Sequence, residues 1–299
     1  MIDTFYSERL RIQEFKTERD RLSRIIRKNI QKLEKRIGIY VEAMNSRERI
    51  EDNLLKGELL SANLYQINRG SSKATVMNYY TNEQYDIPLD PSVSPAQNVN
   101  RFFRKAQKLK NGMKISEENY AREKPELDYL LSLEYDLGSA ADTDDLDAIR
   151  NELVRCGYIT LQRKEKTRNI DPLSRPYLFR STDGLRIMAG RNSRQNDLLT
   201  MRIANEKDIW FHIRNSQGSH VILFTDSRVP TERDIYEAAV IASTYSREKN
   251  SSKVDIDYTE RKNAWKANGA RPGMVLYKEQ KTITVDPDSK LTEKLRTHD

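Results

Sequence analysis

The sequence contains one cysteine, three histidines and no long hydrophobic run. Cys156 alone cannot form an internal disulfide, so the fold does not depend on an oxidising compartment. The close Cys/His spacing of a structural zinc site is missing, and so is the apolar run of roughly 18–20 residues that crosses a bilayer. The first residues also lack the basic and then apolar pattern of a secretory signal. With no Walker loop, dinucleotide-binding fingerprint or nucleophile elbow, we expect no enzyme activity, cofactor or metal site.

Positive charge is in modest excess, and hydrophobic residues are scarce. The 299 residues include 52 Lys and Arg against 45 Asp and Glu, which gives a net charge of +7. Hydrophobic residues make up 37%, below the roughly 45–50% of an average domain, and charged residues make up 32%, above the usual roughly 25%. Part of the chain should therefore be elongated and well solvated. The 15 Tyr, 7 Phe and 2 Trp exclude disorder of the whole chain.

Residues 1–157 have the pattern of a coiled-coil arm. A helix is predicted over about 8–64, because one narrow apolar stripe follows a mostly heptad spacing there. The clearest part of this stripe contains Leu22, Ile26, Ile30, Leu33, Ile37, Tyr40 and Met44. Such a stripe needs a partner helix, and a second helix over about 96–137 keeps a seven-residue rhythm. Between the two helices, strand formers around a turn predict a small β-hairpin over about 73–89.

An acidic segment follows the arm. Residues 125–149 contain eight acids and no Lys or Arg. We expect Pro125 to kink or break the second helix and a short helix to cover 145–156 before Gly157. The acids are interpreted either as a solvated face or as a docking site for a basic partner or for the chain's own basic domain.

The last part of the chain is predicted to be a compact α+β domain over 177–299, joined by a basic linker over 158–176. Strands are predicted at 185–189, 198–203, 209–213, 219–224, 253–258, 274–277 and 282–285. Thr231 is a plausible cap for a helix whose alanines would let it lie close to a sheet. The fold class is therefore α+β, with a long antiparallel arm that carries a hairpin tip and is followed by a mostly antiparallel sheet with a helix.

Basic and aromatic side chains in this domain predict an RNA-binding site. Arg pairs with phosphate, Asn and Gln bond to bases or ribose, and flat rings stack on bases. The candidate residues are Arg191, Asn192, Arg194, Gln195, Asn196, Trp210, His212, His220, Lys262, Lys266 and Arg271, with Trp265 beside the last three. In the alternative, Arg191 and Arg194 pair with local acids, and Trp210 or Phe211 belongs to the core, since one of two successive strand residues must point inward.

An ordered series of motifs in this domain resembles the NFACT-R domain of the RqcH family, which is also known as fibronectin-binding protein A. The series comprises Gly184–Asp197, Asp208–His212, Gly218–Val221, Glu237–Ala239, Val254–Thr259 and Gly269–Val275. The preceding part, with Tyr79, Tyr80, Ile87–Pro91 and Phe102–Lys110, resembles the coiled-coil and middle region of that family. The NFACT-N domain and helix-hairpin-helix segment that begin family members are not recognisable, so the chain resembles the C-terminal half of a longer protein.

The resemblance implies a role in ribosome-associated quality control in the cytoplasm. Family members bind the 50S subunit that still holds peptidyl-tRNA, contact 23S rRNA and tRNA, and recruit alanyl-tRNA. The stalled chain then receives a C-terminal alanine tail, with the ribosome supplying the chemistry and the NFACT-N half supplying key tRNA contacts. The alternative is an adhesin that binds fibronectin at the cell surface without a membrane anchor or signal peptide.

Overall fold

The computed structural model describes residues 2–160 and 176–297, with side chains from residue 9 onward. These residues pack as two units. One unit is Gln31–Leu127, and the other combines the described parts of Met1–Ile30 and Asp128–Asp299. The predicted linker 158–176 lies almost entirely outside the described residues, so the domain bounds 1–157 and 177–299 stay a prediction.

Three helices form the arm. Helix α1 spans Ile2–Met44, α2 spans Arg47–Ala62 and α3 spans Pro95–Ser139. The sequence predicts one helix over 8–64, whereas a turn at Asn45 and Ser46 separates α1 from α2. Pro125 does not end α3, which runs through it without a break.

Residues 31–127 contain the hairpin and its own small core. Strands β1 (Lys73–Asn78) and β2 (Glu83–Pro88) pair antiparallel, and alternate residues of β1 are buried. The buried side chains that pack together are Leu59, Leu60, Ala74, Val76, Ile87, Leu89, Val99 and Phe102. Nearer the start of this unit, Leu33 and Ile37 are buried as the predicted stripe requires. The predicted hairpin is therefore held by apolar residues of α2 and α3.

The other unit begins with helical packing. The stripe residues of α1 in this unit, Leu22, Ile26 and Ile30, are buried. The part of α3 in this unit contributes the buried residues Tyr129, Leu130, Leu133 and Leu137. Helix α4 covers Thr143–Arg155, where the sequence predicts 145–156. Its first turn is capped by Asp142, whose side chain accepts a bond of 3.0 Å from the backbone N–H of Asp145.

A six-stranded antiparallel sheet forms the centre of this unit. Its strands are β3 (Tyr177–Arg180), β4 (Arg186–Ala189), β5 (Ile209–Ile213), β6 (Val221–Leu223), β7 (Val254–Glu260) and β10 (Lys281–Val285). Their order is β10-β7-β5-β6-β4-β3. Helix α6 (Glu232–Thr244) packs on one face through Ala238, Ala239 and Ala242, and Thr231 caps it. Helix α7 (Ser289–Leu295) contributes Leu295 to the same core. The predicted α+β class is confirmed.

The opposite face of the sheet is covered by short elements. They are helix α5 (Ser193–Leu198), a π-helical turn at Leu199–Ile203, and a two-stranded ribbon of β8 (Ala264–Trp265) and β9 (Leu276–Tyr277). The strand predicted at 198–203 is wrong. Leu199 and Thr200 are both fully buried, and a helical turn can point successive residues inward where a half-exposed strand cannot.

Among the described residues, no helix combines enough length and apolar character to cross a membrane.

Candidate nucleic-acid interface

The segment Gly190–Asp197, in which the sequence groups two arginines with three side-chain amides, includes most of the short helix α5. The side chain of Asn192 caps this helix by accepting bonds from the backbone N–H groups of Arg194, at 3.2 Å, and Gln195, at 3.0 Å. Gln195 in turn accepts a bond of 2.9 Å from the N–H of Arg191. Asn196 accepts one of 3.0 Å from the N–H of His220. All three amides predicted to contact RNA therefore bond to the protein backbone.

The two arginines of this segment are held by acids of α4 and by the residue that caps it. Arg191 forms ion pairs with Asp145 and, at 3.3 Å, with Asp142, and its side chain is 11% exposed. Its guanidinium carbon also lies 5.4 Å from the ring centroid of Tyr177. Arg194 pairs with Glu152 at 3.3 Å. Of the interpretations left open by the sequence, pairing of both arginines with local acids is the one that the structure supports.

A buried carboxylate fixes the start of α5. Asp136 on α3 accepts bonds from the backbone N–H of Ser193, at 2.9 Å, and from its hydroxyl, at 2.7 Å. Burial raises the pKa of Asp136 to about 7, although the two bonds from Ser193 act to lower it. The acidic segment 125–149 thus includes three acids that contact the chain's own domain. Asp136 contacts Ser193, and Asp142 and Asp145 contact Arg191.

Trp210 and the two candidate histidines form a packed cluster beneath the sheet surface. The ring of Trp210 is fully buried and stacks on His212, with 5.7 Å between centroids. The Nδ1 atom of His220 lies 2.8 Å from the hydroxyl of Thr200. Burial lowers the pKa of His212 to about 4 and that of His220 well below its usual value, so both rings are neutral at pH 7. Phe211 is fully buried too, because both faces of the sheet are covered.

These positions decide the role of two of the predicted RNA-binding residues. Trp210 and His220 cannot stack on a base without opening the core, so their role in this fold is packing. Within the described residues, no group of three or more His, Cys, Asp or Glu side chains could hold a metal ion. His298, the third histidine, lies outside the described residues.

An exposed aromatic ring lies among lysines on the β8–β9 ribbon. Trp265 is 43% exposed, and Leu276, its partner in the ribbon, is 51% exposed. Lys262 and Lys278 extend into solvent, and Lys266 is partly exposed. We call these five residues the Trp265 surface. Leu276 and Lys278 are not sequence candidates, because only the pairing of β8 with β9 brings them beside Trp265.

The cations of the Trp265 surface keep local acidic partners. Lys262 bonds to Glu260 at 2.6 Å, which raises its pKa, and Lys266 pairs with Asp197 at 2.9 Å. The side chain of Lys262 is 51% exposed, and an exposed pair of this kind is worth only about 0–1 kcal/mol. A polyanion can therefore displace Glu260 at little cost, unlike the acids that hold Arg191. The Lys266–Asp197 pair is partly buried, with side chains 27% and 26% exposed.

Two arginines near the ribbon in the sequence have structural contacts. Arg261 donates bonds of 2.7 and 3.0 Å to the carbonyl oxygens of Thr200 and Met201, which joins the π-helical turn to the end of β7. Arg271, between β8 and β9 in the sequence, donates to the Sγ atom of Cys156 at 3.2 Å. Its guanidinium carbon is 5.5 Å from the ring centroid of Tyr129. Of the predicted site residues, Lys262 and Lys266 keep exposed or partly exposed side chains within three residues of the exposed Trp265.

Comparison with known proteins covers almost the whole chain. A family model described as the NFACT N-terminal and middle domains matches residues 1–171, and one described as the NFACT protein RNA binding domain matches residues 175–279. The chain is 37% identical over 303 residues to the Rqc2 homolog RqcH of Bacillus subtilis (strain 168), covering 99% of this chain and 52% of that protein. It is 32% identical over 288 residues to the protein of the same name from Streptococcus suis (strain 05ZYH33), covering 96% and 51%.

A solved structure has the same fold. The C-terminal part of the fibronectin/fibrinogen-binding protein from Streptococcus suis aligns with a TM-score of 0.71 and 28% identity, covering 95% of this chain and 99% of that one. The chain spans about half the length of the two full-length relatives.

Proposed function

The chain belongs to the NFACT family, and on that premise we propose that it is an RNA-binding part of a ribosome quality control factor. Its ligands would be 23S rRNA and tRNA on a 50S subunit that still holds peptidyl-tRNA. The longer protein would recruit alanyl-tRNA and extend the stalled chain with alanine. This part would bind rather than catalyse and would need no cofactor, and the whole factor would work on cytoplasmic ribosomes.

The observation that carries this proposal is the Trp265 surface within the matched RNA-binding domain. A ring that is 43% exposed can stack on an unpaired base, which is worth roughly 1–3 kcal/mol per base. Lys262 and Lys266 flank it in the sequence and can contact backbone phosphates, and the partner of Lys262 is weakly held. Arg191 and Arg194 would act indirectly, by holding the segment around α5 against the acids of α4 and its cap.

The experiment is co-sedimentation of the 299-residue chain with purified 50S subunits, at about 50 and 200 mM salt. The test variant is Lys262→Ala/Trp265→Ala/Lys266→Ala. Its matched control is Lys290→Ala/Tyr236→Ala/Lys294→Ala, which removes two exposed lysines and an exposed tyrosine from α6 and α7 on the opposite face of the sheet. We expect salt-sensitive binding that the test variant weakens by at least about tenfold and the control leaves within about twofold. Equal binding by both variants would exclude the Trp265 surface.

A second function is favoured by one observation, the name of the structural relative, which describes binding of fibronectin and fibrinogen. An adhesin of this type would act at the cell surface. We propose to measure capture of immobilised fibronectin by RNase-treated chain. Binding that survives RNase and is equal in the Trp265-surface variant and its control would support this second function. Loss of capture after RNase would indicate bridging by RNA.

A further inference from the structure

The turn between α1 and α2 borders an open cavity of about 480 Å³ within residues 31–127. This volume lies in the range of roughly 300–1,000 Å³ for small-molecule sites. The lining carries three cations, Arg49, Lys105 and Lys108, and includes no Asp or Glu. It also includes the apolar residues Leu109 and Met113. The cavity thus combines positive charge with apolar surface.

The three cations come from two helices in matching positions. Ser46, just before α2, and Arg49 and Asn53 on α2 lie three and four residues apart, and on α3 so do Lys105, Lys108 and Gly112. Residues at this spacing share one face of a helix. In the described part of the chain, Arg49, Lys105 and Lys108 take part in no ion pair. Nearby cations do pair, as Arg47 does with Glu51 at 3.0 Å and Lys56 with Asp52 at 2.7 Å.

Ser46 adds a hydroxyl donor to the cavity. The residue is 5% exposed, and it lines the cavity just before α2 begins. Its side chain makes no bond that caps the helix, and the described residues offer it no other hydrogen-bond partner. Its oxygen reaches solvent, so the hydroxyl can donate to a ligand in the cavity. The first N–H groups of a helix are unpaired and favour anions.

Gly112 leaves the floor of the cavity open. A Cβ atom placed on this residue would meet no atom within 4 Å, so packing does not require glycine here. Glycine inside a helix costs about 1 kcal/mol relative to alanine. The space that glycine leaves open is therefore available to a ligand.

We propose that this cavity binds one nucleotide unit of single-stranded RNA, with the phosphate on Arg49, Lys105 and Lys108 and the base against the apolar surface. The cations complement the negative charge of a phosphodiester, and the apolar residues can pack against a base. An acidic protein would supply negative charge but no base. This inference deepens the proposed function by adding a second RNA contact, on the arm rather than on the sheet domain.

The test measures binding of a labelled oligouridylate of about 12 nucleotides to the 299-residue chain by fluorescence anisotropy, from about 50 to 200 mM salt. The test variant is Arg49→Gln/Lys105→Gln/Lys108→Gln. Its control, Arg104→Gln/Lys110→Gln/Lys114→Gln, removes the same charge from exposed positions outside the cavity. Loss of the contact with this one phosphate should lower the slope of log K against log salt by about 0.7. We expect affinity at low salt to fall by on the order of tenfold in the test variant only.

A second pair of variants reports on the cavity itself. Gly112→Glu places a carboxylate in it, whereas Gly38→Glu makes the same change at an exposed helix position where a Cβ also meets nothing within 4 Å. Both should fold, since Glu is a better helix former than Gly. Only Gly112→Glu should weaken RNA binding, and equal affinities for the two variants would overturn the proposal.

Two further measurements distinguish a failure of the cavity proposal from a failure of the proposed function. Free uridine monophosphate that binds as tightly as the oligonucleotide would overturn the assignment to RNA. The Trp265-surface variant is measured in parallel. If it loses affinity while the cavity variant does not, the cavity proposal fails and the proposed function stands. If only the cavity variant loses affinity, the cavity proposal stands and the Trp265 surface is excluded.

Discussion

Replacing Arg191 by alanine should destabilise the unit that contains the sheet rather than remove a contact with RNA. The side chains of Arg191 and Asp145 are each 11% exposed, so the substitution leaves a nearly buried carboxylate without its cation. Breaking such a pair costs about 3–5 kcal/mol. We expect the lower end, about 3 kcal/mol, because Asp145 keeps a bond of 2.9 Å from the N–H of Ala141.

Differential scanning calorimetry measures this effect. For a unit of this size, about 3 kcal/mol corresponds to a fall in Tm of about 6–12 °C. The matched control is Arg27→Ala, which breaks the 3.0 Å pair with Glu134 in the same unit, where the arginine is 67% exposed. An exposed pair contributes about 0–1 kcal/mol, so the control should melt within about 4 °C of the parent chain.

A double substitution and an RNA assay complete the prediction. Arg191→Ala/Asp145→Ala should recover part of the lost stability, because it leaves no buried charge in this pair. Well below its Tm, Arg191→Ala should bind 50S subunits within about twofold of the parent chain. A variant with unchanged Tm and greatly weakened binding would refute this reasoning and restore Arg191 as a direct RNA contact.

Two further predictions concern a buried acid and a crowded glycine. Burial raises the pKa of Asp136 to about 7, well above the roughly 3.9 of an unfolded chain; between these values the folded state binds more protons, so the free energy of unfolding falls as pH rises from about 4 to 7. Asp136→Asn should remove that slope from calorimetric Tm values measured across this range, and an unchanged slope would contradict the assignment. At Gly57, a Cβ would lie 2.8 Å from the ring of Phe103, so Gly57→Ala should lower the stability of residues 31–127 by about 1–3 kcal/mol. In Gly38→Ala the new Cβ meets no atom, so this change should raise the stability of the same residues by about 0.5–1 kcal/mol. If chemical denaturation found Gly57→Ala more stable than Gly38→Ala, the contact between Gly57 and Phe103 would be contradicted.

Much of the secondary structure follows from local patterns. The stripe of Leu22, Ile26 and Ile30 predicts a helix with a partner, because helical geometry places such residues on one face. The hairpin and the cap at Thr231 follow from residues within a few positions of each other. The strand predicted at 198–203 fails because strand formers in a short segment adopt a helical turn when two successive residues are buried.

The site is harder to predict, since it depends on which distant residues meet. Arg191 and Lys262 are similar as cations in the sequence. Burial of one between Asp142 and Asp145, and exposure of the other beside Trp265, are decided by residues far away in the chain. Sequence patterns report the type of a side chain but not the polarity of its surroundings, which sets whether an ion pair is fixed or exchangeable.

The sequence by itself determines the helical arm, the hairpin, the α+β class and the family, because periodicity, turn residues and ordered motifs are properties of nearby residues. Only the tertiary structure decides which polar groups remain available for a ligand. Acids of α4 pair with the two arginines of segment Gly190–Asp197. Pairing of β8 with β9 exposes Trp265 among lysines. Ligand binding depends on charged and apolar groups that have no strong partner within the protein. The folded chain as a whole determines which groups these are.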